Sequence, residues 1–167
     1  MKKSTFNEKY GITDAKPTSL AVIKTTISSF TLSVEQFFKS RFDGLVVVET
    51  EFSQHNSDYI TICAEQTAYF FKLLLTYLQD EAVIRIKMSC DAENKFIIKI
   101  ESDGFKSISS PELYEIVRSA KSAKFIPYET ERGILLKRPY KTSISYRVYA
   151  TSPRALADAF EKIFFSK

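Results

Sequence analysis

The sequence predicts an α+β fold: a two-layer sandwich whose mixed, mostly antiparallel sheet is covered by helices on one face, with an amphipathic helix ahead of it. Three observations carry that expectation. Some segments place apolar residues three and four apart, others alternate strictly, and the alternating segments come in neighbouring pairs with helical segments between them.

Residues 1–18 are polar, contain Gly11 and Pro17 and show no period, so they read as a flexible arm. From Leu20 the apolar positions Ile23, Ile27, Phe30, Val34 and Phe37 recur at helical spacing, which assigns residues 19–41 to an amphipathic helix. Its seam either packs on the chain's own domain or joins a second copy as a homodimer. Residues 42–167 then form one α+β domain. Asp43-Gly44 is a turn, and Leu45–Phe52, with Val46, Val47 and Val48, is a strand. Ser57 or Asp58 can cap a helix over Tyr59–Gln79, where Ile60, Cys63, Thr67, Phe71, Leu74 and Leu78 follow the 3.6 period and Phe70, Leu73 and Tyr77 widen the face. Ile84, Ile86 and Met88, then Phe96, Ile98 and Ile100, alternate with charged residues on either side of Asp91-Ala92-Glu93-Asn94, which is a hairpin. Ser109-Ser110-Pro111-Glu112 starts a helix with a serine cap, a proline in the first turn and a glutamate three residues on; Leu113, Ile116, Val117 and Ala120 carry it to about Lys124. Gly133–Pro139 and Thr142–Thr151 are two more strands, and Ser152-Pro153 opens a final helix.

Composition narrows the function. With 44% hydrophobic and 14% aromatic residues among 167, the chain can bury a core, which excludes disorder as its main state. It has 4 glycines, where usage of about 7% would supply about a dozen, so glycine-built phosphate cradles lack material. Cys63 and Cys90 form no CxxC pair and have no histidine nearby, which reads as two reduced thiols and no metal site. The N-terminus lacks an apolar stretch and no run is long enough to span a bilayer, so no membrane contact and a cytoplasmic location are expected. His55, the single histidine, falls in a polar loop without triad partners.

One stretch is charged beyond the average. Residues 118–147 hold eight cations against Glu129 and Glu131, while the whole chain carries +4. Arg132, Lys137, Arg138 and Lys141, interleaved with Phe125, Tyr128, Tyr140 and Tyr146, are candidate contacts for phosphate or single-stranded nucleic acid; the alternative is a solvated surface with half-buried tyrosines.

The long helix Cys63–Leu75, the hairpin, and Ile98-Lys99-Ile100-Glu101-Ser102-Asp103-Gly104-Phe105 together resemble the GHKL or Bergerat group, the ATP-binding fold of sensor histidine kinases and gyrase, over about two thirds of the chain. The resemblance implies a nucleotide site in which Glu65, Asp103 and Gly104 are the cofactor-binding candidates. The family's pattern is worn in this sequence. No asparagine lies between Tyr59 and Gln79 to hold magnesium, Ser102 aligns with the family's adenine-binding aspartate, and Gly133 stands alone where glycine-rich boxes are expected. What the resemblance implies is a regulatory or protein-interaction module with no catalytic residues, no metal and no obligatory cofactor, acting on a protein partner or as a homodimer. The alternatives are weak adenine-nucleotide binding or a kinase-related enzyme, and nucleic-acid binding through residues 118–147.

Overall fold

The computed structural model describes residues 22–52 and 58–144. The N-terminal arm, His55, Tyr146, Arg147 and the final helix lie outside the described residues. The described elements run β1 (Ile23–Thr26), α1 (Ile27–Arg41), β2 (Leu45–Glu51), β3 (Asp58–Ile62), α2 (Ala64–Thr76), β4 (Val83–Cys90), β5 (Lys95–Ser102), α3 (Ser110–Ser122), β6 (Ile126–Thr130), β7 (Gly133–Lys141) and β8 (Ser143–Ile144).

Five strands form the main sheet in the order β2-β4-β5-β7-β6, and β1-β3-β8 form a second, antiparallel sheet. Among the described strands only the β2–β4 pairing in the main sheet is parallel, which gives the mixed, mostly antiparallel α+β architecture that the hydrophobic periods predict. Alternation sorts the faces: Ile84, Ile86, Met88, Phe96, Ile98, Ile100, Ile134 and Leu136 are buried under the helices. The other face carries ion pairs such as Lys87–Glu51, Lys99–Glu101 and Lys137–Asp91.

Two helix starts differ from the sequence expectation. Ile23–Thr26 is a strand paired with β3, not the beginning of a helix, and α1 starts at Ile27 with the Thr26 hydroxyl accepting from Ser29 N–H at 3.2 Å. Likewise Asp58–Ile62 is a strand, and α2 starts only after Cys63. Both segments are rich in β-branched residues, and each pairs with the other, Ile23 opposite Ile62. The four-residue steps from Ile23 to Ile27 and from Ile60 to Ala64 fit a helix only by coincidence, because strand pairing satisfies the same apolar positions.

The N-terminal helix belongs to the main core. Ile27, Phe30, Val34 and Phe37 are buried in one cluster with the sheet residues, so these four positions are not exposed as a dimer seam, and Ile23 sits in β1. Phe38 meets Phe71 of α2 at 5.1 Å between ring centroids.

Local chemistry explains the ends of the remaining elements. Ser109 and Glu112 make the expected capping box on α3, with Ser109 N–H donating to Glu112 Oε1 at 3.1 Å. The β4–β5 turn is built by Asp91, whose Oδ1 accepts from the backbone N–H groups of Glu93 and Lys95, while Asn94 takes a left-handed φ of 62°. Burial of that carboxylate raises its pKa, but bonds from Lys137 and from the two backbone amides outweigh it and hold the pKa below the usual range. At the end of α3, Lys124 adopts φ 67° where glycine is the usual residue. Lys124→Gly is therefore expected to stabilise the protein by about 0.5–1 kcal/mol, read as a raised midpoint in urea unfolding.

Candidate functional site

A groove of about 580 Å³ borders the hairpin end. Its floor is Leu74 of α2 and Ile134 of β7; one wall is α3 with Leu113, Ile116 and Val117, and the other is the β6–β7 hairpin with Tyr128 and Thr130. Ser102, Asp103 and Phe105 close it at the end of β5. Three local devices place this end. Gln79 N–H donates to Gly104 O at 2.8 Å, Lys106 N–H donates to Tyr77 O at 2.8 Å, and Leu78 pairs with Phe105. Tyr77 and Glu112 add a side-chain hydrogen bond between α2 and α3; burial first, and then the Glu112 and Glu115 carboxylates, push the Tyr77 phenol up to about 12.

The candidate nucleotide residues do not converge there. Asp103 is exposed and pairs with Arg132 at 3.2 Å, so its carboxylate lies on the rim. Ser102, one residue earlier and on the opposite side of the strand, is buried, and its hydroxyl accepts from Gly104 N–H at 3.0 Å. Gly104 serves the turn itself: a Cβ there would come within 2.3 Å of the Ala82 methyl. Glu65 stands in the first turn of α2, about 18 Å along the helix from Tyr77 at 1.5 Å per residue, and it does not line the groove. In that first turn a carboxylate favours the helix electrostatically. Among the described residues no three His, Cys, Asp or Glu side chains gather as metal ligands.

The basic candidates do not form one patch either. Lys137 faces the open side of the sheet, bonded to Asp91 at 2.7 Å, and that bond raises its pKa. Arg138 is its neighbour on the other face and is 4% exposed. Its guanidinium donates to Lys124 O at 3.0 Å and to Thr61 Oγ1 at 3.2 Å. It also lies over the Phe125 ring. Arg138 therefore fastens the C-terminus of α3 to β3, which is a structural task. Phe125 is buried at 1% exposed, so it is not a stacking platform. Arg132 at the β6–β7 turn and Lys141 are at opposite ends of β7.

The sequence pattern counts Leu113 among the apolar positions of α3 and passes over β6. In the structure Leu113, Tyr114, Ile126 and Tyr128 are exposed large side chains around the α3–β6 contact. The available signal was the β-branched and aromatic Ile126-Pro127-Tyr128-Glu129-Thr130 segment two residues before the next strand.

One buried charge lies behind this region. Lys72 in α2 has no exposed surface, and its pKa falls to about 7, first through desolvation and then through repulsion by Arg41. Between about 7 and the ordinary 10.5, the unfolded chain binds a proton that the folded chain does not, so stability rises with pH there and is lost as pH falls toward 7. Burial pushes the Cys90 thiol up to about 11, which acts in the opposite direction above pH 9. Urea midpoints are expected to rise between pH 7 and pH 9 in the wild type, and Lys72→Met is expected to flatten that slope and add about 1–3 kcal/mol at pH 7; an unchanged slope in the variant would assign it to another group.

No family model and no curated protein matches the chain. Among the described residues, no helix is long and apolar enough to cross a membrane. Solved structures do match. The chain is similar to the Acinetobacter baumannii histidine kinase AdeS, with 13% identity over 85% of this chain and 75% of that one and a TM-score of 0.49. It is also similar to the cytoplasmic segment of histidine kinase QseC, with 14% identity over 77% of this chain and 76% of that one and a TM-score of 0.39. At these identities the likeness is one of shape and says nothing of chemistry.

Proposed function

We propose that the protein is a non-catalytic regulatory or protein-interaction module on a histidine-kinase-like fold, and that the groove between α3 and the β6–β7 hairpin receives a short apolar segment of a protein partner. The observation that carries this reading is the character of the groove. Its interior is lined by Leu74, Ile116, Val117 and Ile134, its lip exposes Leu113 and Tyr128, and charge is confined to rim positions such as Asp103, Lys106 and Arg132. An apolar centre inside a polar rim is the pattern of a recognition surface. The groups a nucleotide would need are engaged elsewhere: Ser102 in its own turn, Asp103 with Arg132, and Glu65 at the far end of α2.

Selection of a displayed peptide library on the protein tests this. The expected result is peptides with spaced apolar anchors that bind the wild type and bind Leu113→Asp and Tyr128→Asp at least tenfold more weakly, while both variants keep their melting temperatures to within a few degrees. Peptides that bind both variants as well as the wild type, or that adenine nucleotide displaces, would overturn the assignment.

A further inference from the structure

A smaller concavity lies toward the opposite end of β7 from the groove, between β1, β3 and the end of β7. Lys24, Tyr59, Thr61, Arg138, Tyr140 and Lys141 line it, and its volume is about 80 Å³. That space admits a group the size of a tetrahedral oxyanion.

Among the described residues its lining has three cations and no carboxylate. Lys39, Lys87, Lys95, Lys99, Arg132 and Lys137 each sit within 3.3 Å of an acidic oxygen. Lys24 instead lies over the Tyr59 ring, 5.1 Å from its centroid, and Arg138 lies 5.9 Å from the Tyr140 centroid. The acidic residue of β3, Asp58, is on the opposite face of the strand, where it is buried and accepts from the Thr142 hydroxyl at 3.0 Å. Thr61 accepts from Arg138, which leaves its own hydroxyl proton available to a guest.

Pro139 interrupts the hydrogen-bond ladder of β7 beside this pocket. It cannot donate to the ladder, and the β5–β7 register shifts between Lys95 and Ile97, opposite this part of β7. Alternation along β7 turns Arg138 inward in step with Ile134 and Leu136, and Tyr140 and Lys141 follow it in the lining of the pocket. No acidic side chain of the described lining competes with a bound anion for these cations.

We propose that this pocket binds a single phosphate group, free or as the terminal phosphate of a monoester, through Lys24, Arg138, Lys141 and the Thr61 hydroxyl. One small site suits a terminal phosphate better than a polynucleotide backbone, which needs cations along a track. The site is independent of the α3–β6 groove and of the partner proposed for it.

Calorimetric titration and thermal unfolding in inorganic phosphate, in phenyl phosphate and in sodium chloride at matched ionic strength test the assignment. A twelve-nucleotide single-stranded DNA serves as the fourth ligand. Phosphate is expected to bind saturably and to raise the melting temperature above that in chloride. The Lys24→Ala/Lys141→Ala double variant, altered only at side chains outside the core, is expected to lose at least tenfold in affinity and to melt no lower than the wild type without phosphate. Tighter binding of phenyl phosphate identifies an ester as the guest, and equal binding identifies free phosphate. An equal response to chloride, unchanged affinity in the double variant, or preferential binding of the DNA with a steep loss in salt would each overturn the proposal.

Discussion

Phe96→Ala is expected to lower the free energy of unfolding by about 3–5 kcal/mol, a large part of the about 5–15 kcal/mol that holds a domain of this kind together. Phe96 has no exposed surface. Its ring meets Phe30 of α1 edge-on at 5.6 Å and stacks on Phe52, just past β2, at 5.3 Å and 12°. Truncation therefore removes two aromatic contacts and opens a cavity where the N-terminal helix, β2 and β5 meet. Urea unfolding followed by far-ultraviolet circular dichroism measures it, with Tyr114→Ala, at a side chain 70% exposed, as a control expected to stay within about 0.5 kcal/mol. A loss below about 1 kcal/mol for Phe96→Ala would mean that α1 does not share the sheet's core.

Arg138→Ala comes next in size, at about 2–4 kcal/mol. Burial lowers the guanidinium's pKa, yet the group stays charged over the working range of pH. Removing it strands the Lys124 carbonyl, leaves the Thr61 hydroxyl without its donor and takes a cation away from the C-terminus of α3. Arg138→Lys keeps the charge but not the planar fork, so it is expected to recover less than half of the loss. Equal stability of Arg138→Ala and wild type in urea would show that the link between β3 and α3 contributes nothing.

What the sequence made legible follows how local each signal is. The β4–β5 hairpin and the capping box of α3 were readable because alternation, Asp91 and Ser109 with Glu112 act within a few residues. The strands β1 and β3 were not. Ile23 and Ile60 satisfy a helical spacing and an extended one equally, and the choice is made by pairing Ile23 with Ile62, a contact between distant parts of the chain. The same limit governs the sites. Asp103 and Gly104 follow the hairpin directly and so could be placed at its end, but nothing local shows that Glu65 stands at the far end of α2. Lys137 and Arg138, adjacent in a basic run, read as one patch. The alternation of β7 sends one to the open face and the other into the interior, and Pro139 is the local sign that the strand bends there. Leu113 sits at a core-like helical position, and only the placement of β6 leaves it at the lip of a groove.

Calorimetric titration with magnesium and ATP at millimolar concentration tests the central claim most directly. The account predicts no saturable heat, no change in melting temperature and no released phosphate. Saturable binding of one nucleotide per chain that Glu65→Ala or Asp103→Ala abolishes would contradict it.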